Sequence, residues 1–430
     1  MNQIIENAFL SFTSWKKLTP KERAPLLRAV GNLLESSKHE LAVIMAQEMG
    51  KPITEGKAEI EKCARTCSYF ADAAPRFLED DLRESALRKS FVRYEPLGPI
   101  LAIMPWNYPF WQVFRMAAPA LMAGNTLLIK HSLTTPQSAA HIANLFVKAG
   151  ACEGLVQVIE ATHEQIPHII GDDRIRAVTL TGSTRAGKIV GELAGRYLKK
   201  IVLELGGSDP FIILEDVSLD EVVPKAVLAR CQNSGQSCIA AKRFIVHSAI
   251  IDDFLDKFSL AMNSLIMGDP LKESTQIGPM ANKAQQELLD AQVSDARAKG
   301  ATILTGGELP TTKEAFYPPT VITNINSSMR IHEEELFGPV ACVYAFNNHQ
   351  EAIKLANDTP FGLSSSIWTS DEQSALSLVN NLECGSVFIN AIPRSDPGLP
   401  FGGVKTSGIG RELGREGLLE FTNQKTICMG

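Results

Sequence analysis

Gly98-Pro99-Ile100-Leu101-Ala102-Ile103-Met104-Pro105-Trp106-Asn107-Tyr108-Pro109 opens the stretch that decides the fold. An apolar run over 100–104 stops at a proline-bounded turn, and a helical pattern over 111–122 follows at once. The same alternation repeats downstream. Further apolar runs fall at 126–130, 156–159, 177–180 and 200–203, separated by helical patterns at 136–149, 164–170 and 186–198. Strands alternating with helices in this way predict a parallel sheet with crossover helices. Ligands on such a sheet bind beyond the carboxyl ends of its strands. After Gly206-Gly207 the alternation restarts, with strands at 211–214, 244–247, 341–345 and 386–389 and helices at 220–231, 251–267 and 350–356. The reading is therefore α/β, with two domains meeting near Gly206. Upstream, Thr19-Pro20 followed by Glu22 predicts a capped helix start. A second helix over 40–49 stops at Gly50-Lys51-Pro52, and the charged segment 79–94 reads as an extended arm.

Bulk properties agree with a globular protein of more than one core. A chain of 430 residues exceeds what a single core holds. Hydrophobic residues make up 45% and charged residues 21%, which excludes disordered and fibrous classes. With 42 basic against 48 acidic side chains the net charge is −6, and no basic stripe offers itself to nucleic acid. Residues 1–15 lack the features of a secretory leader, and no apolar run approaches the roughly 18 residues that span a bilayer. A cytoplasmic protein with no membrane partner is expected. None of the eight cysteines forms a CxxC pair, and all but one are read as buried small hydrophobes. The histidines lack zinc spacing, so no metal site is expected.

Three short motifs carry chemistry. In Gln232-Asn233-Ser234-Gly235-Gln236-Ser237-Cys238, a cysteine follows small residues at a turn, where its sulfur can reach a cleft and nearby N–H groups can lower its pKa. In Glu204-Leu205-Gly206-Gly207, a carboxylate at a strand end precedes two glycines, as suits a mobile general base. In Pro105-Trp106-Asn107-Tyr108-Pro109, two prolines hold the Asn107 amide rigidly, as an oxyanion donor requires.

Together, and in this order, these motifs resemble the aldehyde dehydrogenase superfamily. Thr181-Gly182-Ser183-Thr184, Glu335-Leu336-Phe337-Gly338-Pro339, Phe388-Ile389-Asn390 and the tail from Pro400 through Gly410-Arg411-Glu412 add to the likeness, which runs from about residue 9 to the end. The resemblance implies a Rossmann-like cofactor domain (1–77 and 97–206), an α/β catalytic domain (207–405), and a small β oligomerisation arm with a C-terminal segment (78–96 and 406–430). It implies oxidation of an aldehyde to an acid through a thioester on Cys238, with Asn107 at the oxyanion, Glu204 as base and Lys130 among the catalytic residues. The cofactor would be held by Trp106, Lys130, Ser132, Gly182, Ser183, Glu335 and Phe337. Gly408-Ile409-Gly410 with Gly414 lacks a strand–turn–helix setting and reads as structural.

Many NAD-preferring members of that family place a carboxylate where this chain has Leu133, in Lys130-His131-Ser132-Leu133. Its loss removes repulsion against a 2′-phosphate, so NADP or NAD is expected as cofactor, with NADP favoured; the alternative is that Leu133 merely packs. Arg115, eight residues after Asn107, resembles the carboxylate-binding arginine of succinate-semialdehyde dehydrogenases, with Trp111 and Ser395 beside the substrate. The second arginine of some members is Gln232 here. Succinic semialdehyde is thus the expected substrate. A broad-range aldehyde dehydrogenase, with Arg115 in a structural ion pair, is the alternative, and a non-catalytic paralogue the more distant one. A homodimer or homotetramer is expected.

Overall fold

The five apolar runs before Gly206 form the parallel strands Pro99–Met104, Thr126–His131, Val156–Val158, Ala177–Thr181 and Lys200–Glu204 in a computed structural model that describes residues 1–311 and 314–430. Their spatial order is Lys200–Glu204, Ala177–Thr181, Pro99–Met104, Thr126–His131, Val156–Val158. These strands are apolar almost throughout because both sheet faces are covered. Leu101, Leu128 and Val178 face one core with Ile5, Ala8 and Ile169, while Ile100, Ala102, Leu127 and Ile129 face the other. The central strand, Pro99–Met104, has its sequence successors on opposite sides. Strand order therefore reverses there, and a crevice opens beyond its carboxyl end. Pro105-Trp106-Asn107 lies at that end.

Four helices precede this sheet: α1 (Asn2–Trp15), α2 (Pro20–Ser36), α3 (Lys38–Met49) and α4 (Ile53–Phe77). A fifth, α5 (Trp111–Ala123), links its first two strands. The Thr19–Glu22 capping box opens α2 as the sequence predicts, with Glu22 N–H donating to Thr19 Oγ1 at 3.3 Å and Thr19 N–H to Glu22 at 2.7 Å. α3 ends at Gly50, whose φ of +76° is the left-handed cap glycine tolerates. The sequence reading contains neither α1 nor α4. In α4, the buried positions Ile53, Ile60, Cys63, Cys67, Phe70, Ala74 and Phe77 keep helical spacing. Weak helix formers such as Gly56, Thr54 and Thr66, and an internal Pro75, mask that period. All thirteen residues of α5 are buried, including Gln112 and Arg115, which therefore need internal partners.

The second sheet has seven strands, ordered Thr302–Thr305, Thr320–Thr323, Val340–Phe346, Ala241–His247, Asp209–Ile213, Ser364–Trp368, Ser386–Ile389. All neighbours are parallel except the first pair. The charged segment after residue 79 forms the arm: Asp81–Arg83 and Lys89–Pro96 pair antiparallel, and Thr422–Met429 adds a third strand. The C-terminal segment 406–430, read from sequence as one unit, divides three ways. Gly408–Ile409 joins the first sheet antiparallel to Lys200–Glu204, the helix Gly414–Glu420 packs on α4 and α5, and only Thr422–Met429 reaches the arm. Gly408 is glycine for backbone approach, since a Cβ there would stand 2.0 Å from the Leu203 carbonyl oxygen. The reading of the cysteines is corrected: Cys152 and Cys428 are exposed, Cys384 partly so, and only four are buried. No described helix is long and apolar enough to cross a membrane.

Candidate active site

The nucleophile loop begins where the helix Leu219–Cys231 stops. Asn233 (φ +55°), Ser234 (φ +53°) and Gly235 (φ +75°) then take three consecutive left-handed conformations. Two of these are costly for residues with side chains, and the surroundings hold them. The Asn233 amide donates to the Asn107 carbonyl at 2.8 Å and the Gln236 carbonyl at 3.0 Å, while its N–H donates to half-buried Glu55. Ser234 Oγ donates to the Gly278 carbonyl at 3.1 Å. At Gly235 a Cβ would lie 2.4 Å from the Gly338 backbone. The buried Lys242 ammonium closes the loop by donating to the carbonyls of Ser237 (2.9 Å), Cys238 (2.8 Å) and Ala240 (3.2 Å).

Cys238 stands where two cavities of ≈ 260 Å³ each meet. One is lined by Trp106, Asn107, Gly182, Ser183, Glu335 and Phe337. The other is lined by Lys62, Trp111, Arg115, Arg394, Ser395 and Phe401, among others. The sulfur faces these enclosed spaces, and burial pushes its thiol up to about 12 against the pull of Arg115 and Lys242. This is opposite to the lowering that the sequence reading expects: removal from water outweighs the two cations, and no backbone N–H contributes. The Asn107 side chain is buried and donates to the Gln236 carbonyl at 3.1 Å, two residues before the nucleophile.

Glu204 ends the strand Lys200–Glu204, is buried, and lines neither cavity. Among the described residues neither of its carboxylate oxygens has a hydrogen-bond partner. Burial, opposed by Arg115 and reinforced by Glu412, pushes its carboxyl far above the usual range. Arg115 forms an ion pair with buried Glu412, donates to Thr181 Oγ1 at 3.2 Å, and lies 4.8 Å from the Phe401 ring centroid. Arg115 lines the second cavity, but its charge is already matched by Glu412. Trp111 and Ser395 share that wall, and Lys62 joins them: its ammonium donates to Ser395 Oγ at 2.7 Å and sits 4.0 Å from the Trp111 centroid.

The chain matches the model of the aldehyde dehydrogenase family over residues 1–427. It belongs to that family. It is 46% identical over 427 residues to a Synechocystis sp. protein named probable succinate-semialdehyde dehydrogenase (NADP(+)), covering 99% of this chain and 94% of that one. It is likewise 46% identical over 430 residues to the Mycobacterium ulcerans succinate-semialdehyde dehydrogenase (NADP(+)) 1, covering 99% and 94%. The crystal structure of succinic semialdehyde dehydrogenase from Streptococcus pyogenes in complex with NADP+ superposes with a TM-score of 0.98 at 35% identity, covering 100% of this chain and 94% of that one.

Members of this family use a nicotinamide cofactor, and the residues present fit one. At Gly182 a Cβ would meet only Leu180, at 3.6 Å, so any side chain would stand in the cleft instead. Ser183 caps the helix Thr184–Arg196, whose N-terminus faces that cleft as an anion site does. Glu335 accepts from Gly207 N–H at 3.0 Å and ion-pairs with Lys242 at 3.5 Å, and Phe337 meets Trp106 edge-on at 5.6 Å. Lys130 lines a separate cavity of ≈ 510 Å³ with Leu133 and Glu160, away from Cys238. Its expected catalytic role is therefore withdrawn, and its cofactor role is compatible with that place. Leu133 is 83% exposed, so it does not pack into the core of this chain. Ser132 Oγ accepts from Thr134 N–H at 3.2 Å, capping the turn.

Sequence reasoning misses four residues of this site. Lys242 carries a signal, a lysine inside the apolar run 239–246 that has to find partners. Glu412 lies in a motif used only for the resemblance. Glu55 and Lys62 lie on α4, which the sequence reading does not contain.

Proposed function

We propose that this family member oxidises succinic semialdehyde to succinate with NADP, in the cytoplasm, as a homodimer or homotetramer. The convergence of two cavities on one cysteine carries the reading: one fits a nicotinamide, and the other presents a wall with Lys62, Trp111, Arg115 and Ser395 to a short carboxylate-bearing aldehyde. The names of the relatives support both substrate and cofactor. Cys238, as the thiolate left once its proton passes to solvent water, attacks the aldehyde carbon, and the Asn107 amide and the Cys238 N–H take the developing oxyanion. Lys130 would hold the adenosine ribose and its 2′-phosphate, the Gly182-Ser183 turn the pyrophosphate, and Glu335 with Phe337 and Trp106 the nicotinamide end. When bound, the nicotinamide supplies the hydride acceptor that makes the Cys238 adduct a thioester. Glu204 then takes the proton of the water that cleaves it. In its withdrawn position Glu204 favours the protonated form; rotation toward the cleft rehydrates the carboxylate, so ionisation and access arrive together.

The committed charge of Arg115 favours a second reading, a broad-range aldehyde dehydrogenase. The two readings separate on kcat/KM for succinic semialdehyde against pentanal. Preference for the semialdehyde by about one to two powers of ten is expected from a partly desolvated carboxylate contact. Equal values would leave only the broader activity. Glu204→Gln is expected to give one burst of reduced cofactor and then stall at the thioester; loss of the burst would give Glu204 another task.

A further inference from the structure

One face of α4 looks into the substrate-side cavity. Glu55, Ala58, Glu59 and Lys62 all line it, at the i, i+3, i+4, i+7 spacing of a helical stripe. The acidic members are engaged elsewhere. Glu59 pairs with Lys51 and accepts the N–H groups of Phe110 and Trp111 at 2.9 Å each, and Glu55 accepts from Asn233 N–H. On the opposite wall Arg115 is paired with Glu412. Arg394 is exposed, where water screens its charge. Lys62 differs from all of these. Its ammonium has three donors, one of which reaches Ser395 Oγ, and no described carboxylate forms an ion pair with it. A largely enclosed cation without a counter-ion is unfavourable unless a ligand brings one.

Resting on the reading that the substrate carries a distal carboxylate, we propose that Lys62 is the cation that receives it. Ser395 and the Trp111 face then act by positioning the ammonium, and Arg115 by holding the buried carboxylates behind Cys238. Burial, helped by Arg115 and Arg65 and opposed by Cys63 and Glu59, brings Lys62 down to about 8. The groups facing it are therefore Arg115 from α5, Ser395 from the loop at 390–400, and Glu59, Cys63 and Arg65 from α4 itself. Its charge, and with it the carboxylate contact, is present below that pH and lost above it. An arginine contact would persist, since guanidinium stays charged.

The test is kcat/KM for succinic semialdehyde divided by that for pentanal, with NADP, in the full chain. Lys62→Met is expected to lower this ratio by at least about tenfold, mainly through KM for the semialdehyde, and Lys62→Arg to keep most of it. In wild type the ratio is expected to fall several-fold between pH of about 7 and about 9.5, because kcat/KM reports the ionisation of free enzyme. The fall should vanish in Lys62→Arg. Dividing by pentanal cancels the titration of Cys238 and Glu204. If wild type prefers the semialdehyde but Lys62→Met keeps the ratio within about twofold, Lys62 is not the receptor and the substrate reading stands. Should Lys62→Met not fold, Lys62→Gln is read in its place, and a ratio kept within about twofold of wild type overturns the proposal. Absence of any wild-type preference removes the substrate reading itself, and this inference with it.

Discussion

Arg115 shows how one side chain serves two demands. The fully buried α5 needs its lone cation neutralised, and Glu412 does so from the C-terminal segment. Glu204, kept protonated by burial, feels the same guanidinium, so three buried ionisable groups share one space. Arg115→Leu would leave buried Glu412 without its ion-pair partner and Glu204 with Arg411 alone, at a cost of about 3–5 kcal/mol. We expect a lower Tm and loss of turnover on succinic semialdehyde and pentanal alike, with partial rescue of Tm by adding Glu412→Gln. An unchanged Tm with loss confined to the semialdehyde would instead make Arg115 the carboxylate receptor. Leu133 is a simpler case, exposed in the cavity of Lys130. Leu133→Glu introduces an acceptor for a ribose 2′-OH and repulsion toward a 2′-phosphate. The kcat/KM ratio of NADP to NAD should fall by about tenfold or more; a ratio that does not move would place the adenosine ribose elsewhere.

Among the elements, the nucleophile loop is built from strain and α4 from disguised periodicity. Three successive left-handed residues put Cys238 at the meeting of two cavities, and Lys242 fixes the carbonyls that follow. Gly235→Ala would combine a left-handed alanine with a 2.4 Å approach to Gly338. A loss of about 1–3 kcal/mol is expected, read as a lower Tm, with burst amplitude falling more than cofactor affinity because the shift falls on Cys238. Full burst amplitude in a folded variant would show that the loop tolerates another conformation. The turn itself is legible in Asn233-Ser234-Gly235, but nothing local reveals that a backbone 103 residues later closes on it. For α4 the limit is different. Its core-facing stripe is plain once Cys63 and Cys67 count as apolar, yet Gly56 and Pro75 outweigh that stripe in a local reading.

At the scale of the molecule, two parallel sheets meet at the cysteine while a separate three-stranded arm ends in an open edge. Thr422–Met429 pairs with Lys89–Pro96 along one side only, and most of its residues are exposed. A free edge of eight residues is a pairing surface, and in the proposed homo-oligomer it is where another copy would dock. Thr426→Pro removes one donor and stiffens that strand. Size-exclusion chromatography with light scattering should show a smaller species or a shifted equilibrium. An unchanged mass would put assembly on another surface.

The sequence by itself determined the strand–helix alternation, the restart after Gly206, and the order of Asn107, Glu204 and Cys238 along the chain. These are legible because burial on both faces demands continuous apolar runs, and because tight turns demand proline and glycine. Only the tertiary structure decided which charges are free. As isolated letters Arg115, amid apolar neighbours, and Lys62, in a run of mixed charge, give no sign of which is free. Glu412, nearly three hundred residues away, neutralises the first, whereas a hydroxyl and an indole face leave the second charged and unpaired. The same holds for the thiol of Cys238, whose turn suggests activation while its enclosure raises it. Pairing and desolvation are properties of the space between distant segments, and that space exists only after the chain has folded.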